Sequence, residues 1–537
     1  MKQLSRLMVL VGVMLVASNL RAADARPTLS WHFAGTDEVF KSNPESVLST
    51  VSKIKPAGAF GNQIKGRLST WLPAQLGMTE NGWTGGISFI RPLLDELFPN
   101  ESFGLVVGSD LATSSWAVAI RLDDEGRKNW SSALMMFGRQ TKLAEPQELN
   151  IAGANGWRMA DEGGAKGVSF VSLGEWLVAA NNLDAKSAGR TWVEALAKNG
   201  RPAAALKEDW LKLAFDPKIL KWDLELPVIG DVRRVVASFS WKNEYVRMSA
   251  DLQLANDVTT SREKWMTPKE LILDPLVSFT AVRGVENWIG SFSAVEALPK
   301  ELRPNQLFSW SRGNVAFVND VALPVTDPEG AFAILSKSIP KSYNDKIMEY
   351  SLGQWISATN MSRLLWRGLP VFVPYLSPQT IDGRGYLVGG IFPLKNKEDA
   401  APAPKALFDQ IEGRENLIYY DWEISAARIR AFDQAARFVS LIFELKGEQD
   451  GAFGTEWMKL IADKLENAVT EATVTGDREV NIDRKSAVGF TGIELWLLTH
   501  WLDGKDFPAF PYNSPTKHGK RPPAGDRPLP VAQPVNH

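Results

Sequence analysis

A chain of 537 residues without a single cysteine must hold its fold together by packing alone. Disulfides, thiolate catalysis and Cys-ligated zinc or iron are excluded together. The apolar supply suits the task, since 45% of residues are hydrophobic and 20 Trp and 25 Phe are among them. At about 150 residues per domain, that material fills two to four cores.

The N-terminus reads as an export address. Lys2 and Arg6 precede an apolar run from Leu7 to Ala17, and small residues lead out from Ser18 to Ala25. This order is that of a secretory signal over residues 1–22, with cleavage expected after Ala22 and Ala25 as the second choice. The run is too short to anchor the chain, and no cysteine is present to be acylated. The expected location is periplasmic or secreted. Later apolar stretches, Phe438 to Leu445 and Ile493 to Leu502, fall short of the ~18 residues a membrane span needs, so no transmembrane segment is expected in the mature chain. Without Lys2, Arg6 and Arg21 the 60 basic residues become 57 against 62 acidic ones, a net charge near −5. Spread without long single-sign blocks, that charge gives no reason to seek nucleic acid.

Three stretches repeat one grammar, an apolar strand, a polar cap and an amphipathic helix. They run from Trp116 through Asp123/Asp124 to Phe137, from Val315 through Asp327-Pro328 to Ile339, and from Leu417 through Ser425 to about Leu445. Asp or Ser accepts the free amides of a first helical turn, and Pro328 fits where no amide donor is needed. Hairpin signals lie between them: Val235 to Trp241 and Tyr245 to Leu254 around Lys242-Asn243-Glu244, and Gly167 to Val171 with Trp176 to Ala180. Leu29 to Phe33 reads as a strand, and Asn43-Pro44 opens a helix that stops before Pro56. The expected fold class is α+β, with repeated strand-helix modules, mostly antiparallel sheets and packed amphipathic helices. Modules are expected at 23–225, 226–400 and 401–504, with connectors at Lys395 to Lys405 and near Asn256 to Lys269. Residues 505–537 carry eight of the prolines and read as a disordered tail.

Six phrases give the chain a resemblance: WHFAGTDEV (Trp31 to Val39), RPLLDELF (Arg91 to Phe98), DPLVSFTAVRG (Asp274 to Gly284), LWRGLPVFVPYL (Leu365 to Leu376), NLIYYDWEIS (Asn416 to Ser425) and RKSAVGFTGIELWLLTHWL (Arg484 to Leu502). In order and spacing they resemble a family of large uncharacterised exported bacterial proteins, over most of residues 28–504. The resemblance brings no substrate, cofactor or catalytic residue with it.

Chemistry-bearing patterns are few. Of four histidines, His518 and His537 fall in the tail, His500 sits on a helix opened by a Thr491 to Glu494 capping box, and His32 lies on a strand beside Trp31. No hydrolase, zincin, phosphate-loop, dinucleotide or calcium-loop motif occurs. Ser338 to Lys341 matches S-x-x-K, but without its partner motifs and with Pro340 inside. One weak candidate remains, the acidic pair Asp421 and Glu423 in YYDWE. Strand alternation sets them with Tyr419 on one face and Tyr420, Trp422 and Ile424 on the other. Such a pair could serve acid/base chemistry. The plainer expectation is a solvated acidic face opposite a buried Trp422. Scattered Trp residues read mainly as core, with a sugar- or lipid-facing role as the alternative. The favoured function is therefore non-enzymatic binding or a structural partnership in the cell envelope, with a protein or glycan partner and neither metal nor cofactor. The alternatives are a carbohydrate-active hydrolase using acidic residues and a carrier of an apolar ligand.

Overall fold

The structure is a computed structural model that describes residues 27–75, 86–109, 114–140, 143–162, 167–185, 187–220, 224–258, 262–313, 318–349, 352–358, 362–368, 372–392, 401–442 and 452–504. The expected leader and the expected Pro-rich tail lie outside the described residues, as does most of the Lys395 to Lys405 connector. The described part of that connector bridges Pro402 to Leu273 and enters a helix at Lys405.

In the first half of the chain the strands are β1 (Leu29–Phe33), β2 (Ser102–Val107), β3 (Ser115–Arg121), β4 (Gln147–Ile151), β5 (Ala154–Ala160), β6 (Gly167–Leu173), β7 (Trp176–Ala180), β8 (Asp209–Phe215), β9 (Glu225–Leu226), β10 (Gly230–Lys242) and β11 (Tyr245–Leu254). The second half contributes β12 (Leu276–Arg283), β13 (Gln306–Arg312), β14 (Asn319–Pro324), β15 (Gln354–Ala358), β16 (Arg363–Arg367), β17 (Tyr375–Ile381), β18 (Arg384–Gly390), β19 (Leu417–Ile424), β20 (Asn467–Gly476) and β21 (Glu479–Ser486). Helices α1 (Thr36–Ser42), α2 (Val47–Ser52), α3 (Lys55–Gln75) and α4 (Gly86–Leu97) lie between β1 and β2. Next come α5 (Asp124–Gln140), α6 (Ala188–Asn199), α7 (Glu286–Gly290), α8 (Pro328–Glu349), α9 (Lys405–Asp409), α10 (Ser425–Ile442), α11 (Phe453–Ile461) and α12 (Gly492–Asp503).

Among the described residues every strand pairing is antiparallel, and the strands join into one continuous ribbon. Its middle is the β11·β21 pair. Outward on one side run β11-β10-β8-β1-β2-β3-β7-β6-β5-β4, and on the other β21-β20-β19-β12-β13-β14-β18-β17-β16-β15. Chain order along the two arms is the same, with α5 and α8 after the third strand of each and α6 and α9 after the seventh. The chain is thus two copies of one topology. Ser249 faces Asp483 at the junction, and an approximate two-fold axis passes between them. Carrying the registers outward aligns Phe103 with Phe308 and Trp176 with Tyr386, which are core residues in their respective arms.

Repetition was legible in two of the three strand-cap-helix stretches, which are the matching units β3-α5 and β14-α8. The third, β19-α10, matches β8 instead. Its helix is an insertion of the second half, as α1 to α4 are insertions of the first. The mixed α+β content holds, but the sheet dominates. The halves meet between Leu254 and Leu276.

The local expectations follow their physical causes. Val235 to Leu254 forms the β10-β11 hairpin around Asn243, which takes the left-handed backbone (φ 59°) that a two-residue turn demands. The Thr491–Glu494 capping box opens α12. Cores follow the sheet: one lies across the junction around Phe215, Phe239, Met248 and Leu252, and others flank each arm. The inserted helices build their own core from Val51, Ile429, Met458 and Leu495. Among the described residues no helix is long and apolar enough to cross a membrane.

Candidate functional site

Six strands of the first arm end at one rim. The chain leaves β1 at Ala34, enters β2 after Glu101, leaves β3 at Leu122, enters β7 after Glu175, enters β8 at Asp209 and leaves β10 near Trp241. A groove of about 750 Å³ runs across these ends. Gly35 makes it possible to turn from β1 straight into α1, because its φ of 89° is open to glycine and a Cβ would strike the Pro99–Asn100 backbone.

At one end of the groove two indoles form a wall. The Trp210 and Trp241 rings are tilted at 42° with centroids 6.1 Å apart, and both residues are half-buried. Trp241 Nε1 donates to Ser42 Oγ at 3.1 Å, which fixes its ring against α1. Two strands along from Trp210, past Ala34, lies a chain of three charged or ionisable side chains. His32 is buried, stacks on Phe103 at 3.8 Å and meets Glu101 Oε1 at 3.0 Å, and Arg201 grips the same carboxylate from the groove side. Burial lowers the pKa of His32 despite the carboxylate beside it. Burial also pushes Glu101 up, but the His32 hydrogen bond and the Arg201 charge outweigh it, and its pKa ends below the ordinary value. The pair is therefore neutral imidazole with ionised carboxylate, and His32 donates through Nε2.

Around the groove seven carboxylates stand against three cations. Arg121 is tied to Glu175 at 2.6 Å and Arg201 to Glu101, so Asp37, Glu38 and Glu208 are left exposed and set the sign of the field. Nothing local in the sequence marks Glu101, Arg201, Trp210 and Trp241 as neighbours. His32 stood out in the sequence, but only as a lone histidine.

The second arm shows what else can happen at this rim. There Arg283 takes the position of Ala34, and Gln306 that of Glu101. Both hold the chain's own segment 262–268, which has no regular secondary structure. Gln306 donates to the Lys264 carbonyl at 2.8 Å and accepts from the Met266 amide at 2.9 Å. Arg283 donates to the Glu263 carbonyl at 2.6 Å, and Tyr386 donates to the Met266 carbonyl at 3.2 Å. Trp265 covers the Arg283 guanidinium at 4.6 Å and packs edge-on to Phe308. The equivalent rim is filled in one half and open in the other.

The expected acidic pair lies elsewhere and is not solvated. Asp421 and Glu423 are 6% and 0% exposed, whereas Trp422 is only half-buried and Tyr420 carries the core contact. Alternation placed them correctly on one face, but α10 and α12 cover that face, which corrects the expectation of a wet side. Asp421 accepts from Thr280 Oγ1 at 2.6 Å. Glu423 accepts from Ser425 Oγ at 2.9 Å and from the Gly492 amide at the start of α12, and Arg428 stands 3.5 Å from its second oxygen. Burial, and then the charge of Asp421, pushes Glu423 up to about 7. Burial likewise raises Asp421. Beside them Arg484 grips Glu494 at 2.6 and 2.8 Å, and Glu494 also closes the α12 capping box. The cluster pins α12 to the sheet and does not line the groove. His500 is half-buried, its ring tilted at 33° against Trp496 with centroids 4.0 Å apart. Among the described residues no three His, Asp or Glu side chains gather as a metal site.

No protein-family model and no curated protein matches the chain. Crystal form IV of TP0453 aligns over 45% of this chain and 83% of that one at 10% identity, with a TM-score of 0.23, a likeness too loose to bear on fold or function.

Proposed function

We propose that this is a non-enzymatic binding protein of the bacterial cell envelope, and that the rim groove of its first half is the surface that receives a partner. The observation behind this reading is the asymmetry of the duplicated fold, in which the same rim is closed by segment 262–268 in one half and open over about 750 Å³ in the other. A volume of that size is in the range of ligand-binding clefts. The envelope is taken from the leader at residues 1–22 and from the resemblance to exported proteins. Acid-only hydrolysis is the weaker reading because the pair first considered for it, Asp421 and Glu423, is enclosed by packed helices.

The absence of cysteine makes a clean test available. A photo-crosslinker attached to the Ala205→Cys variant, at the groove, should give a discrete adduct in intact envelope fractions. The same reagent on Leu460→Cys, an exposed position on α11, should not. Equal labelling from both positions, or none from either, would refute the reading.

A further inference from the structure

Resting on that reading, we infer that the first-half groove takes an extended, cationic polypeptide segment of a partner, laid across the strand ends as segment 262–268 lies across those of the second half. In the second half the chain is recognised mainly through its backbone: the carbonyls of Glu263, Lys264 and Met266 and the amide of Met266 are all bonded by side chains of the rim. Backbone recognition of this kind selects an extended polypeptide and tolerates many sequences.

Two exchanges convert the rim from one that binds its own chain to one that is free. Arg283 becomes Ala34, which withdraws the cation and opens the space it filled. Gln306 becomes Glu101, whose carboxylate is taken up by Arg201 and His32, so the amide that held the segment has no counterpart there. Trp192 of α6 stands edge-on to Phe103, as Trp265 does to Phe308, so the groove asks no aromatic of its occupant. What remains unmet is charge. Exposed Asp37 and Glu208 have only Lys207 as an uncommitted cation among the lining residues, Glu38 adds to them across a loose, exposed 3.9 Å pair with Lys41, and the Trp210 and Trp241 faces add attraction for Lys or Arg. By the same alignment the positions matching 262–268 fall at 13–19, within the expected leader at residues 1–22. Export would therefore leave the first half without a segment of its own.

The test is titration calorimetry on the mature full-length chain with three probes: an octapeptide of alternating Lys and Ser, its Glu/Ser counterpart, and a chitooligosaccharide. The basic peptide should bind at least about tenfold more tightly than the acidic one and weaken as salt rises toward 1 M. The double variant Glu38→Lys, Glu208→Lys changes exposed residues only and should keep the thermal midpoint while weakening the basic peptide about tenfold. Absence of saturable basic-peptide binding, or an unchanged affinity in the double variant, overturns the inference, as does tighter binding of the oligosaccharide. If the Ala205→Cys adduct forms with a non-protein component, the binding reading stands and the peptide inference falls. With neither adduct nor peptide binding, both fall.

Discussion

Raising the pH from about 5 to about 8 is expected to weaken the contribution of α12 docking, and the substitution Glu423→Gln to remove most of that loss. Glu423 titrates at about 7 in the folded protein and from an ordinary 4.5 when exposed. Between those values the native state keeps a proton that the unfolded chain has lost, so stability falls as pH rises and levels off above about pH 8. At roughly 1.36 kcal/mol per pH unit the gap amounts to about 3 kcal/mol. Gln reproduces the protonated form: its carbonyl still accepts from Gly492 and Ser425, and its amide carries no charge to desolvate. Other groups shape the absolute curve. Burial lifts Asp320 to about 6 and raises Asp421, both in the same sense, whereas the lowered pKa of His32 adds stability as pH rises toward its ordinary 6.5. Subtracting the two proteins cancels the Asp320 and His32 terms, whereas Asp421 faces Glu423 and its response stays within the measured difference. Urea unfolding at about pH 5 and about pH 8 should find the variant within roughly 1 kcal/mol of the parent at the lower value and up to about 3 kcal/mol more stable at the higher. A difference independent of pH would refute the assignment of a buried, protonated Glu423.

Further outcomes follow from the same packing. Arg484→Met should cost about 3–5 kcal/mol in chemical unfolding by stranding Glu494 in the core, and adding Glu494→Leu should restore part of it, less about 1 kcal/mol for the capping-box bond to the Thr491 amide. Gly104→Ala should cost about 1–3 kcal/mol, because the Trp31 ring lies where the new methyl would go, and relief by Trp31→Leu would confirm the clash. Thr491→Ala should cost about 1 kcal/mol through loss of the α12 cap, read as a lower thermal midpoint.

Short-range chemistry made parts of this fold legible. The β10-β11 hairpin, the Thr491 cap and strand β1 are set by turn residues, side-chain acceptors and alternation within a few positions. The sidedness of YYDWE was readable for the same reason. Coverage was not, because it depends on α12, which begins at Gly492, far along the chain from Glu423. The duplication was visible only as a grammar, and its third instance misled because a strand followed by a cap and helix looks alike whether the helix is repeated or inserted. Strand order comes from pairings such as β1·β8 and β11·β21, across long stretches of chain. The groove is assembled the same way: Ala34, Glu101, Glu175 and Trp210 converge only once six strands have paired.

The central claim is that one rim is open and its twin is closed, and thiol reactivity measures that difference directly. In a chain without native cysteine, Ala205→Cys places a single thiol at the first-half groove, and Thr267→Cys places one in the segment that fills the second, where Thr267 is 6% exposed. With a small maleimide under native conditions, the groove thiol should react at about the rate of the unfolded chain. The segment thiol should react at least about a thousandfold more slowly, limited by opening of packed structure. Equal rates at the two positions would contradict the account.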